Sequence, residues 1–108
     1  MVSSIEKLVT ITDVDTDTDI LSIPSNKIGR LVQVEISNPD TTNTARVRLW
    51  DSYTDVNGST KKVQKFDWYV EPNKSVVIKE GFEKKFFGKI VAQSTIANVV
   101  IGVRVELE

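Results

Sequence analysis

Along several stretches of this chain, hydrophobic residues recur at every second position. The clearest stretch is the last one. Val99, Ile101, Val103, Val105 and Leu107 are apolar, while Arg104, Glu106 and Glu108 fall among the alternate positions. Successive side chains of a strand point to opposite faces, so this period predicts a strand with one buried and one wet face. Leu31–Ile36 repeats the pattern, with Val32, Val34 and Ile36 on one face and Gln33 and Glu35 on the other. Ala45–Leu49 sets Arg46 and Arg48 outward, and parity then turns Trp50 outward as well. Val63–Val70 groups Phe66, Trp68 and Val70 opposite Lys65, Asp67 and Tyr69. Shorter apolar runs at Val9–Ile11, Ile20–Ile23, Val76–Ile78 and Ile90–Ala92 read as further strands.

Turn formers separate these runs. Asn38-Pro39-Asp40 and Pro72-Asn73 stop strands, because proline fixes φ and Asn or Asp side chains bond the local backbone. Asn57-Gly58 predicts a hairpin with a type I′ turn, which needs positive φ at both central residues. Gly88 between Phe86-Phe87 and Ile90 predicts a bend. Ile5–Leu8 and Phe82–Phe87 have room for single helical turns, but neither sustains a helical period. About eight strands at this spacing predict an all-β fold, a single-domain antiparallel β-sandwich of jelly-roll or immunoglobulin-like type. The domain is expected to span residues 1–108, with residues 1–19 as an extended arm and acidic loop.

Composition narrows the chemistry. With 108 residues the chain can bury a core. It has no cysteine and no histidine, so disulfides, thiolate nucleophiles, histidine bases and Cys/His zinc sites are all excluded. A net charge of −1 gives the whole molecule no pull on nucleic acid or an anionic membrane. No apolar run approaches the ~20 residues of a membrane-spanning helix. Met1–Lys7 lacks a basic stretch followed by an apolar one, so no signal peptide is expected. No catalytic residue, cofactor or membrane partner is expected.

Four candidate sites remain. Asp13, Asp15, Asp17 and Asp19 form an acidic ladder that superficially resembles a calcium loop. In either frame it lacks the Gly at position six and the Glu at position twelve that an EF-hand needs. It stands as a weak cation candidate beside its plainer role as a solvated loop that blocks edge pairing. Basic residues are uneven: five basic against nine acidic side chains up to residue 60, then nine against six. Lysines near Trp68, Tyr69, Phe86 and Phe87 allow a nucleic-acid reading by base stacking. The plainer reading makes Phe66, Trp68 and both phenylalanines core and the lysines sheet exterior. Opposite charges meeting between subunits is a further reading. Trp50, Tyr53, Arg46 and Arg48 are the candidate interaction residues, because an outward tryptophan in a small domain suits a partner subunit or a sugar ring. Asp67, Glu71, Glu80 and Glu83 offer carboxylates for glycoside hydrolysis, which demands a cleft this small sandwich has little room for.

The segments Ile23-Pro-Ser-Asn-Lys-Ile-Gly-Arg-Leu-Val, Val34-Glu-Ile-Ser-Asn-Pro-Asp and Val70-Glu-Pro-Asn-Lys-Ser-Val-Val-Ile, followed by Gly88 to Glu106, cover most of the chain. In this order they resemble small β-sandwich structural proteins of tailed bacteriophages and archaeal viruses. The resemblance implies a decoration or cementing role on or between capsid subunits, in the virion and in symmetric copies. The acidic segment Asp13–Asp19 has no counterpart in that pattern. Two other expectations stand beside it: an extracellular immunoglobulin-like or carbohydrate-binding module, and a small nucleic-acid-binding β domain.

Overall fold

The computed structural model describes residues 3–108. Among these residues nine strands form: β1 (Ser3–Thr10), β2 (Thr18–Ser22), β3 (Gly29–Asn38), β4 (Ala45–Thr54), β5 (Thr60–Val70), β6 (Lys74–Ile78), β7 (Lys85–Phe86), β8 (Lys89–Ser94) and β9 (Val100–Leu107). One sheet has the order β1-β9-β3-β6, with β7 also on β3, and the other the order β2-β8-β4-β5. All pairings are antiparallel. Among the described residues there is no helix, and the two expected helical turns do not form. Residues 5–8 belong to β1, and Phe82–Phe87 runs through a bend into β7.

The order of pairing distinguishes the two expected sandwich types. β4 pairs with β5, β3 with β6, β2 with β8 and β1 with β9. The chain is thus a long antiparallel ribbon doubled back at the β4–β5 turn and rolled up, successive pairs alternating between the two sheets. Pairing of β3 with β9 and of β4 with β8 closes the roll. This is the jelly-roll arrangement rather than the immunoglobulin one. The two-residue β7 is the addition beyond eight strands.

Inward positions fill one core between the sheets. Leu31, Val34 and Ile36 of β3, Val47 and Leu49 of β4, Phe66 and Val70 of β5, Ile90 and Ala92 of β8, and Ile101, Val103 and Val105 of β9 are all buried. The last strand keeps the expected parity, with Arg104 exposed and its odd-numbered neighbours inside. In β3 the expectation fails by one residue. A bulge between Leu31 and Gln33 leaves Val32 without a place in the ladder. Leu31 and Val34 therefore share the core face, and Val32 is only half-buried. An extra residue reverses parity, and hydrophobicity alone does not separate Leu31 from Val32.

Other expectations are corrected in the same way. Residues 3–10 are no free arm, since β1 pairs along its length with β9. Phe87 is 49% exposed, unlike the fully buried Phe86. The Asn57-Gly58 hairpin forms, but of these two residues Gly58 alone is left-handed, with φ +82°. The Asp55 carboxylate accepts the backbone N–H groups of Asn57 and Ser59, both at 2.9 Å. This Asx-type loop needs one positive φ where a type I′ turn needs two. At the opposite end, the buried Asn38 side chain donates to the carbonyls of Asn43 and Val70 and accepts the N–H of Asp40. It ties the ends of β3 and β5 together.

Candidate interaction face

The outer face of the four-stranded sheet carries Arg46, Arg48, Trp50 and Tyr69. Along β4, Ala45, Val47, Leu49 and Asp51 point inward, which leaves Arg46, Arg48, Trp50 and Ser52 outside. The register sets Arg46 opposite Tyr69 and Arg48 opposite Asp67. A bulge at Lys65 then moves Gln64 opposite Trp50 and Lys62 opposite Ser52. Without that extra residue, β5 would turn Lys62 to the other face.

These side chains hold one another. Arg46 grips Asp67 with two parallel hydrogen bonds, Nε to Oδ1 at 2.9 Å and an Nη to Oδ2 at 2.7 Å. Its guanidinium also lies 5.5 Å from the centre of the Tyr69 ring. The Arg46 hydrogen bond keeps the Asp67 carboxyl below the usual carboxylate range and raises the arginine further. Trp50 is approached by two cations, the Arg48 guanidinium at 5.1 Å and the Lys62 ammonium at 4.4 Å from its ring centre. Contacts of this kind contribute about 0.5–1 kcal/mol each at exposed sites. Lys62 also binds Asp17 at 2.8 Å, and Gln93 donates to the same carboxylate. The Lys62 hydrogen bond lowers the Asp17 pKa, with smaller help from Gln93.

The acidic ladder is thereby divided. Asp17 is taken up by Lys62 and Gln93, and Asp19 pairs with Lys89 at 3.1 Å. Asp15 sits in a left-handed turn with φ 52°, and Asp13 is exposed at the start of the same bend. Among the described residues no three metal-ligating side chains converge, so the four aspartates form no cation cage. The charge imbalance along the chain is partly cancelled within the fold, since Asp17 and Asp19 meet lysines of the second half.

Of the four candidate interaction residues, the structure brings together Arg46, Arg48 and Trp50. Tyr53 lies apart, at one end of the sandwich. Its ring meets Phe87 edge to face, with centroids 6.5 Å apart. Both line an open cleft of about 910 Å³ with Asn26, Lys27, Ser52 and Lys89. Tyr69, 63% exposed, joins this face, although the sequence offers it only as a base-stacking aromatic and not among the four interaction residues. Its outward parity in β5 was legible, but its place beside Arg46 depends on register. Three of the four carboxylates considered for hydrolysis have structural partners: Asp67 has Arg46, Glu80 has Lys84, and Glu83 accepts the backbone N–H groups of Lys84 and Lys85. No protein-family model matches the chain, and comparison with curated proteins finds no match.

Proposed function

We propose that this chain is a non-enzymatic structural protein of a virion, a decoration or stabilising component that acts through protein–protein contacts in symmetric copies. The observation that carries this reading is the outer face of the four-stranded sheet, where Trp50, Tyr69, Arg46 and Arg48 stand along β4 and β5. Trp, Tyr and Arg are the residue types that dominate binding energy in protein interfaces. Their mutual contacts pre-order the side chains, which lowers the entropy lost on docking. The rolled-ribbon topology supports the reading by analogy, because jelly rolls are frequent in viral capsids.

The same architecture is used by lectins, so a carbohydrate-binding module is the second reading. The approach of Arg48 and Lys62 to the Trp50 ring weighs against it. A sugar stacking there would have to displace a cation held by both the ring and Asp17. Co-sedimentation with assembled shells of the source virus tests the proposal, with Trp50→Ala and Arg46→Glu as interface variants. Saturable binding by the natural protein that falls at least tenfold in both variants is expected. A protein that ignores every capsid surface, or a glycan-array signal lost in Trp50→Ala, would overturn it.

A further inference from the structure

We infer that β1 is an exchangeable strand, and that the surface it leaves on β9 accepts the β1 of a second copy of this chain. This inference is independent of the role proposed above.

β1 is held differently from every other long strand. Its backbone pairs with β9 at eight successive positions, Ser3 with Leu107 through Thr10 with Val100. Yet none of its side chains is buried: Ile5 and Val9 are half-buried and the other six are exposed. Leu8 is 67% exposed. Across the sandwich β1 meets β2, the edge strand of the other sheet. Register shows why. Ile5, Lys7 and Val9 sit opposite Val105, Val103 and Ile101, so they share the inner face of the sheet. Lys7 remains exposed there, and of these three side chains Val9 alone packs against the margin of the core. Main-chain hydrogen bonds supply most of what retains β1, and any β1 of the same sequence supplies them equally.

A pivot lies at the strand's end. Ile11 is fully buried, donates its N–H to the Val99 carbonyl at 2.8 Å and accepts the N–H of Asn98 at 2.7 Å. Detaching Ser3–Thr10 therefore leaves the core anchored at Ile11. It uncovers a β9 edge whose ladder groups need a partner in register. On its outer face this site is specific. The Glu6 carboxylate lies 3.6 Å from Arg104, and Leu8 lies against Gly102, where an added Cβ would come within 3.1 Å of its Cδ1.

Simple edge-to-edge pairing of two attached β1 strands is a poorer solution. The two longest antiparallel registers that keep the outer faces aligned set either Lys7 against Lys7 or Glu6 against Glu6, and like charges directly opposite are destabilising. Exchange avoids that clash and restores the Glu6–Arg104 pair. Because the exchanged contacts repeat the internal ones, concentration governs the outcome, and while the monomer predominates the dimer-to-monomer ratio rises about tenfold for a tenfold rise in protein.

The absence of cysteine makes the test clean. Opposed residues of an antiparallel pair lie ~4.5–5.5 Å apart at Cα, within reach of a disulfide. The full-chain double variant Glu6→Cys/Arg104→Cys is oxidised while dilute and should close an internal bond. The single variants Glu6→Cys and Arg104→Cys are then co-refolded at low and high concentration and oxidised. Cross-linked peptides are mapped by mass. A 6–104 disulfide joining two chains, increasing with concentration, is expected. Predominant 6–6 or 104–104 links, or no link, would refute exchange, and failure of the double variant to close would refute the register beneath it.

Discussion

The carboxylate of Asp51 reaches 37 residues along the chain to accept the backbone N–H of Gly88 at 2.9 Å. Its other oxygen takes the N–H of Phe87, also at 2.9 Å. Asp51 is fully buried, and this corner is where the chain enters β8. Asp51→Ala leaves two part-buried backbone donors without their partner, at a cost of about 1–3 kcal/mol. Asp51→Asn is expected to recover little of this, because its amide turns a donor toward a donor. Urea denaturation of the natural protein and both variants checks the prediction. A loss below about 0.5 kcal/mol for Asp51→Ala would contradict it.

Gly88 and Gly58 make opposite demands on an added methyl group. At Gly88 a Cβ would overlap the Ser52 carbonyl oxygen and come within 2.8 Å of the Tyr53 Cα. Backbone cannot yield as a flexible side chain can, so Gly88→Ala is expected to cost about 3 kcal/mol or more. At Gly58 nothing lies within 4 Å, and only the φ of +82° resists substitution. Gly58→Ala should cost about 1 kcal/mol. Thermal melts of the two variants should rank in that order.

Val103 and Arg104 are neighbours in sequence and lie on opposite faces of β9. Val103→Asp buries an unpaired charge in the core and is expected to prevent folding. Arg104→Asp loses an exposed ion pair with Glu6, worth about 1 kcal/mol or less. Circular dichroism of both variants separates the outcomes.

The Arg46–Asp67 pair carries a pH signature. Folding lowers the Asp67 pKa, chiefly through the Arg46 hydrogen bond. A carboxylate lowered in this way stabilises the fold above its unfolded value of about 3.9, and that contribution is lost as pH falls through the lower folded value. Arg46→Met should therefore be less stable than the natural protein at neutral pH, and the gap should close in acid well below the carboxylate range. Asp17 and Lys62 predict the same behaviour for Lys62→Met. Denaturant titrations at neutral and acid pH measure the difference. A gap that does not change with pH would rule out the assigned cause.

Much of this fold is legible in the sequence, and particular residues show where legibility ends. Alternation correctly put Val103 and Val105 inside, Arg104 outside, Phe66 and Val70 inside and Trp50 outside. It did so because burial parity is a local property, in which every second side chain meets the same environment. Alternation failed at Val32 and missed the bulge at Lys65, because an inserted residue leaves the same composition with the opposite parity. The acidic ladder looked like one feature, and was divided by lysines far away in sequence.

Strands, turns and inward faces thus follow from short-range chemistry that each segment carries alone. The rolled ribbon, the union of β1 with β9, the Arg46–Tyr69 adjacency and the separation of Tyr53 from Trp50 were decided by the tertiary structure. The physical reason is that strand partners are selected by the free energy of contacts between residues tens of positions apart. A bare edge of hydrogen-bonding groups does not encode which partner will fill it.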